Sequence, residues 1–501
     1  MDRTWSRRRF FEASIPACML VAGLWRTELP LQAIGVGLAI VGLLLGGTGG
    51  APAVVRGVTS SMYRPAADDG AVWGILLVPL VLVARGSPGA WILGVAMSTA
   101  FAAAVCEART RQWRAGLLAL PAVVYAGVIG SPAQGWWPVA GALVMVGAAG
   151  AQHALTVAVL RALPRSFTLG EAAVAAQGAM LAAADLAGRV ATRVQAGPGG
   201  AADAQMPAVL LEAGALALTL FACALARAPA GTVWFCGLAA AFAGGALGLA
   251  GLVAGANPLG WAWRAVLGSP AHWAVLCYWA VLLAGSAAVY VAAPGGGLAA
   301  GSSAKLALHV KRKAFHVLAV LLFAPAHAAA PLLLHVALTA ALAAFVVVEA
   351  ARAQGSGRCA AAVDRFLRRF TDARDAGPVV TAHFYLLLGC ALPVWLGGSW
   401  AACLAGVLTL GVADTAASLV GLGLGRRRWP YSPKTVEGTA AFVCALFAAL
   451  SLVPAAGAPG AALRLVLCAA LGLLEALTEQ NDNLVVALAA YAALTMHGGS
   501  G

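Results

Sequence analysis

Charge is what this sequence has least of. Only 10% of its 501 residues are Asp, Glu, Lys or Arg and 61% are hydrophobic, whereas a soluble globular domain carries about a quarter charged residues. That shortage excludes a fold wrapped in a solvated charged surface; such a chain needs lipid as its solvent. The ten cysteines include no pair at two-residue spacing, and Cys236, Cys277, Cys403 and Cys468 lie in apolar runs. Neither a zinc site nor a disulfide framework is indicated. The chain also lacks a Gly-x-x-x-x-Gly-Lys-Ser/Thr run, which argues against a standard P-loop ATPase. The formal net charge is +13, but the basic residues fall in short clusters and form no long patch, so no nucleic-acid partner is expected.

What is present is a succession of apolar runs. A hydrocarbon core about 30 Å thick takes about 20 apolar residues per helix. Leu29–Leu45, Trp91–Cys106, Ala208–Ala224, Trp234–Val253, Trp273–Ala292 and Leu332–Val348 are clear cases. With the weaker segments, the expectation is an all-α, polytopic membrane protein of roughly fourteen to sixteen transmembrane helices. Basic clusters at Arg7–Arg9, Lys311–Lys313, Arg365, Arg368 and Arg369, and Arg426–Arg428 mark the cytosolic face, since positive loops tend to stay there. The basic start followed by the apolar stretch Ile15–Trp25 resembles a secretory signal, but the many later spans favour a retained first helix.

Pro294, Gly295–Gly297, Gly301, Ser302 and Ser303 make the best break in the chain. It divides a multi-span region, residues 1–300, from a C-terminal region, residues 301–501. The first offers few ionisable groups placed to meet one another; Glu212, inside an apolar run, is an exception best read as a polar contact between helices. In the second, the polar residues are grouped, and grouping in lipid points to a shared site because each charge there costs several kcal/mol.

The richest segment is GVADTAASLVGLGLGRRRWPYSPKTVEGT, Gly411–Thr439. Asp414, Ser418 and Gly421 fall on one helical face, and an acid at membrane depth suggests a partner, either a helix-packing contact or a metal ion. Gly421, Gly423 and Gly425 alternate in a way expected to break the helix and turn backbone N–H groups towards an anion. Arg426, Arg427, Arg428, Lys434, Thr435, Glu437, Gly438 and Thr439 follow. Arginine, lysine and hydroxyl groups suit a polyphosphate, and Glu437 is expected to join Asp414 around a divalent cation. The bland reading of the arginines is a positive cytosolic loop.

Three smaller groups share this region. His309, Lys313 and His316 follow i, i+4, i+7, a cationic strip or merely a snorkelling lysine. Asp372, Arg374 and Asp375 crowd a loop ahead of a span containing His383, with a loop salt bridge as the plain alternative. Glu475, Glu479 and Asp482, in LLEALTEQNDNL, are expected on one face, where they repel unless a cation or a basic loop meets them.

These blocks resemble the dolichol kinase family, within the CTP-dependent polyprenol and lipid kinases. KRKAFH at Lys311–His316, FTDARDAGPVVTAHFYLLLG at Phe370–Gly389, the Asp414–Thr439 block and LLEALTEQNDNL carry the likeness in the family's order. The resemblance implies transfer of the γ-phosphate of CTP to dolichol in the endoplasmic reticulum membrane, giving dolichyl phosphate and CDP for protein glycosylation. It implies that Gly421–Thr439 is a nucleotide-binding loop, with Lys434, Thr435, Glu437, Gly438 and Thr439 the nearest matches. The sequence departs where the family often has a second basic residue before the lysine, here Pro433, and a small residue after the Trp–Pro pair, here Tyr431.

The expected arrangement has the loop and Lys434 on the triphosphate, Asp414 and Glu437 on Mg2+, and Asp372, Asp375 or Asp482 at the alcohol. Lys313, His316, Arg374, His383 and Glu475 are further site candidates. The expected partners are a polyprenol and the bilayer. Alternatives are a kinase of another lipid alcohol such as phytol, farnesol or diacylglycerol, a cytidylyltransferase, and, from another class, a multi-span transporter.

Overall fold

Long apolar runs without period-2 alternation fold as helices, which satisfy their own backbone polar groups inside lipid. The computed structural model describes residues 58–64, 69–85, 137–196, 202–225, 231–292, 302–355, 357–367, 377–430, 432–453 and 459–497, with isolated positions among 14–19 and 94–105. In chain order the helices are α1 (Ala71–Arg85), α2 (Trp137–Ala162), α3 (Leu169–Ala196), α4 (Ala202–Leu225), α5 (Thr232–Ala254), α6 (Pro258–Leu267), α7 (Pro270–Ala292), α8 (Ser302–Ala329), α9 (Pro331–Ala353), α10 (Gly357–Leu367), α11 (Ala382–Leu396), α12 (Trp400–Cys403), α13 (Thr415–Gly423), α14 (Val436–Leu452), α15 (Ala461–Leu477) and α16 (Asp482–His497). Between α12 and α13, Val407–Asp414 is π-helical. Among the described residues there is no β-strand.

The all-α, multi-span expectation holds. Ala204–Leu225, Thr232–Ala254, Pro270–Val289 and Pro331–Ala353 are long and apolar enough to cross a membrane, and Ala71–Arg85, Ala382–Leu396, Val407–Gly423 and Val436–Leu452 are shorter apolar helices. The expected span Leu29–Leu45, the cluster Arg7–Arg9, Arg368 and Arg369, and the break at 293–301 lie outside the described residues, as do most of Ile15–Trp25 and Trp91–Cys106.

Local signals explain several boundaries. Asn257 caps α6 by accepting from the Leu259 and Gly260 N–H groups, with Pro258 in the first turn, where its missing N–H costs nothing. Thr168 and Glu171 form a capping box at the start of α3: the Glu171 N–H donates to Thr168 Oγ1 at 3.2 Å, and the Thr168 N–H to Glu171 Oε2 at 3.0 Å.

The core is centred on α16, whose residues from Asn483 to Leu494 are all buried. One apolar cluster joins Trp73, Leu77 and Val81 of α1 to Val486 and Tyr491 of α16 and to Phe442 and Leu446 of α14. Helices from both sides of residue 300 therefore share it. Glycine permits the tightest approaches: a Cβ on Gly406 would lie 1.8 Å from the Gly389 carbonyl oxygen, and one on Gly389 would lie 2.1 Å from that of Asn483. These contacts hold the π-helical stretch, α11 and the start of α16 together, where the polar site is built.

Candidate functional site

Asp414 is the last residue of the π-helical stretch, and wide turns of this kind recur where a helix presents a functional group. Its side chain is 7% exposed. Two residues of α8 meet it. Lys313 Nζ bonds Asp414 Oδ2, and His316 Nε2 lies 3.7 Å from the same oxygen and 3.4 Å from Asn483 Oδ1. His316 Nδ1 is 2.9 Å from the Arg312 carbonyl oxygen; only an N–H satisfies that contact, so Nδ1 carries a proton.

The second lysine arrives on a loop. Between α13 and α14 the backbone doubles back: Trp429 N–H donates to the Lys434 carbonyl at 3.0 Å and Val436 N–H to that of Arg427 at 2.8 Å. Trp429 Nε1 donates to Thr439 Oγ1 at 2.9 Å, pinning the loop to α14. Thr435 caps α14 by accepting from Gly438 N–H at 3.1 Å. Lys434 is thereby directed at the end of α15, where Nζ bonds Glu475 Oε1, donates to the Glu475 carbonyl at 2.7 Å, and lies 3.3 Å from Asp482 Oδ2. Burial alone would lower the Lys434 pKa, but Asp482, Glu475 and Asp414 outweigh it and hold the ammonium above the ordinary lysine value.

Carboxylate oxygens of Asp414, Glu475 and Asp482 all lie within 4.8 Å of one another. Such acids repel unless cations intervene, and Lys313 and Lys434 set two basic groups among the three acidic ones. The exposures are unequal: Asp482 is 27% exposed and Glu475 6%. The three hard oxygen donors fit Mg2+, which is commonly held by one or two carboxylates together with substrate phosphates.

The structure arranges several expected residues differently. Glu475, Glu479 and Asp482 do not share a helical face: α15 ends at Leu477, Thr478 is extended, and Asp482 opens α16. Glu475 and Asp482 meet across that turn; Glu479 is not in the carboxylate group. Glu437 is not in it either, and accepts from the Arg427 N–H at 3.2 Å, bracing the loop. Gly421 and Gly423 are helical, within α13, and neither they nor Gly425 has a positive φ. Gly421, Gly425 and Gly438 serve close packing: a Cβ on Gly438 would lie 2.9 Å from the Ala417 carbonyl oxygen, and one on Gly425 2.3 Å from that of Gly421. Arg426, Arg427 and Arg428 are exposed.

Asp372, Arg374, Asp375 and Tyr431 lie outside the described residues, as does the His309 side chain. The segment Pro378–Val380 is anchored by α9, where buried Glu349 accepts from Val380 N–H at 2.6 Å and Arg352 Nη2 donates to the Pro378 carbonyl at 2.5 Å. His383, with Phe345, Val363 and Phe366, lines an apolar pocket of about 370 Å3 between α9, α10 and α11. Glu212 pairs with Arg189 at 3.2 Å, a contact between α4 and α3.

Sequence reasoning missed Asn483, although it lies in LLEALTEQNDNL, and a buried group before residue 300. There Arg64 Nη2 and Glu171 Oε1 pair at 2.6 Å, and Thr168 Oγ1 donates to Gln480 Oε1 at 2.9 Å. The charges of Arg64 and Glu171 carried no local pattern, and Thr168 and Gln480 are uncharged.

A family model described as dolichol kinase matches residues 153–391. The chain resembles dolichol kinases. It is 36% identical over 253 residues to the dolichol kinase EVAN of Arabidopsis thaliana, covering 48% of this chain and 43% of that protein. To the dolichol kinase of Homo sapiens it is 34% identical over 249 residues, 46% of each chain. To that of Saccharomyces cerevisiae it is 30% identical over 241 residues, 46% of this chain and 44% of the relative. The chain thus spans under half the length of the curated dolichol kinases it matches. The family match reaches back to residue 153, well before the C-terminal blocks, and ends before Asp414. No solved structure matches.

Proposed function

We propose that the protein is a dolichol kinase, transferring the γ-phosphate of CTP to the hydroxyl of dolichol to give dolichyl phosphate and CDP. The observation that carries this reading is the convergence of Asp414, Glu475 and Asp482 with Lys313 and Lys434 at the buried junction of α8, the π-helical stretch, α15 and α16. Phosphoryl transfer asks chiefly for positioning and charge neutralisation, and these groups supply both. The similarity to dolichol kinases supports the acceptor and the reaction class.

In this reading Asp414 and Glu475, with Asp482 as the third acid of the group, would hold Mg2+, which when bound neutralises the outer phosphates. Lys434, presented by the loop, takes the triphosphate, with Arg426–Arg428 at the exposed rim. Asp482, the most exposed acid of the three, orients the alcohol and accepts its proton as the alcohol oxygen bonds to the γ-phosphorus. The bond from the γ-phosphorus to the bridging oxygen breaks, and CDP leaves. Asp372 and Asp375 are the alternative acids for that proton-accepting role. The apolar pocket of about 370 Å3 has the size of a small-ligand site and suits part of the isoprenoid chain. The nucleotide loop belongs on the cytosolic side of the endoplasmic reticulum membrane, in keeping with its three arginines.

Purified protein in nanodiscs, given dolichol, Mg2+ and γ-labelled CTP, should put label into the lipid, with farnesol, phytol, diacylglycerol and γ-labelled ATP as comparisons. Absence of labelled lipid from a folded, monodisperse preparation with any acceptor would overturn the kinase reading. Faster labelling of a different acceptor would reassign the substrate alone.

A further inference from the structure

The turn that separates Glu475 from Asp482 has no helix of its own, yet the spacing of those two acids sets the geometry of the carboxylate group. Residues far away in sequence hold this turn. Thr168 Oγ1 accepts from the Glu171 N–H at 3.2 Å, leaving its own proton free, and that proton goes to Gln480 Oε1 at 2.9 Å. Gln480 is 3% exposed, and its backbone N–H donates to Thr478 Oγ1 at 3.2 Å. Two residues on, Asp482 Oδ1 accepts from the Asn483 N–H at 3.1 Å while Oδ2 faces Lys434. Behind Thr168, Glu171 uses one oxygen on the Thr168 N–H and the other on Arg64, whose own N–H donates to the Phe167 carbonyl at 2.9 Å.

The three segments are also locked by shape. Gly70 has φ +66°, and a Cβ there would lie 2.5 Å from Gln480 Oε1 and 2.8 Å from Thr168 Oγ1. A Cβ on Gly170 would lie 1.8 Å from the Gly70 carbonyl oxygen. No side chain fits between Thr168 and Gln480. The Thr168 proton thus ties the α3 cap to a residue 312 positions away in sequence.

We propose that Thr168, held by the Arg64–Glu171 pair, is a positioning residue for the carboxylate group: through Gln480 it fixes the turn that sets Asp482 opposite Asp414 and Glu475. This inference rests on the proposed phosphoryl transfer for its catalytic consequence, but its structural content is the metal affinity of the three acids. Residues before 300 thereby shape the chemistry of residues after it.

The test uses the full chain in nanodiscs and three variants. Thr168→Val removes the hydroxyl at nearly constant shape, Thr168→Ser keeps it, and Gln480→Leu removes the acceptor while leaving the α3 cap intact. Mn2+ binding is read directly by loss of the free-ion EPR signal, without nucleotide or lipid, and kcat and KM are read in the labelling assay. Thr168→Val and Gln480→Leu should each weaken Mn2+ binding at least tenfold, about 1.4 kcal/mol, and lower kcat while KM for the lipid stays within twofold. Thr168→Ser should bind Mn2+ within twofold of the parent. Wild-type Mn2+ affinity in folded Gln480→Leu would overturn the proposal and leave Thr168 as a helix cap. A loss in Thr168→Ser as large as in Thr168→Val would overturn it as well. Because the EPR arm needs neither CTP nor dolichol, a failure of the kinase reading appears only in the labelling arm and remains distinguishable.

Discussion

Lys434 and Asp414 occupy the two ends of one charge network, and replacing each should have a different signature. Asp414→Asn keeps the shape but removes the charge that Lys313 faces; turnover should fall at least tenfold, about 1.4 kcal/mol of barrier, with a higher Mg2+ requirement. Lys434→Ala should lower turnover by at least the same factor and raise KM for the nucleotide, because the proposed triphosphate contact is lost. Unchanged steady-state rates in either folded variant would move the site elsewhere. The pH dependence follows from the sign of the Lys434 shift. Its folded-state pKa is raised, so its pairing stabilises the fold fully below the ordinary lysine value of about 10.4 and fades only as pH rises through the folded value. Lys434 therefore stays charged from about pH 6 to 9. Lys434→Arg should scale the rate without moving the inflections of a pH–rate profile over that range; a displaced inflection would show that Lys434 titrates there.

At the scale of elements, the glycines between Asp414 and Thr439 separate two functions that look identical in sequence. A glycine that presents N–H groups to an anion and one that lets two helices touch leave the same letter. Gly438→Ala places a Cβ 2.9 Å from the Ala417 carbonyl oxygen, forcing α13 and α14 apart. It should cost about 1–3 kcal/mol, as overpacking does, lower the thermal midpoint and raise KM for the nucleotide as the loop shifts. A Cβ on Gly423, at the end of α13, meets nothing within 4 Å, so Gly423→Ala should be neutral or slightly stabilising, since alanine favours the helix. Thermal unfolding and nucleotide KM of the two variants decide the matter: an inert Gly438→Ala beside a damaging Gly423→Ala would restore the anion-cradle reading. The same ambiguity bounds what sequence reveals here. The helices and their apolar faces were legible, and Asp414, Lys434, Glu475 and Asp482, which the structure brings together, could be singled out because acids and lysines stand out in apolar runs. Their pairing was not, since Lys313 and Asp414 lie 101 residues apart and Lys434 and Glu475 lie 41 apart. The expected helical face of Glu475, Glu479 and Asp482 failed because Thr478 ends α15 inside the pattern.

For the whole molecule, the division near residue 300 separates compositions more than it separates cores. Trp73, Leu77 and Val81 of α1 belong to the same apolar cluster as Val486 and Tyr491 of α16, and the Gln480 turn leans on Thr168. A fragment of residues 301–501 would thus expose one side of a helix that the full chain buries from Asn483 to Leu494, and would lose the hydrogen bond that holds the turn beside Asp482. Lipid can cover an apolar face, but it cannot replace the Thr168 hydroxyl, so the loss of function should exceed the loss of folding. Expressed alone in membranes, residues 301–501 should reach reduced levels and show less than a tenth of full-length turnover per molecule. Co-expression with residues 1–300 as a separate chain should recover activity, because buried packing between the two parts supplies the affinity. Full turnover per molecule from the C-terminal fragment alone would place all of the machinery after residue 300 and reduce the first part to a membrane scaffold.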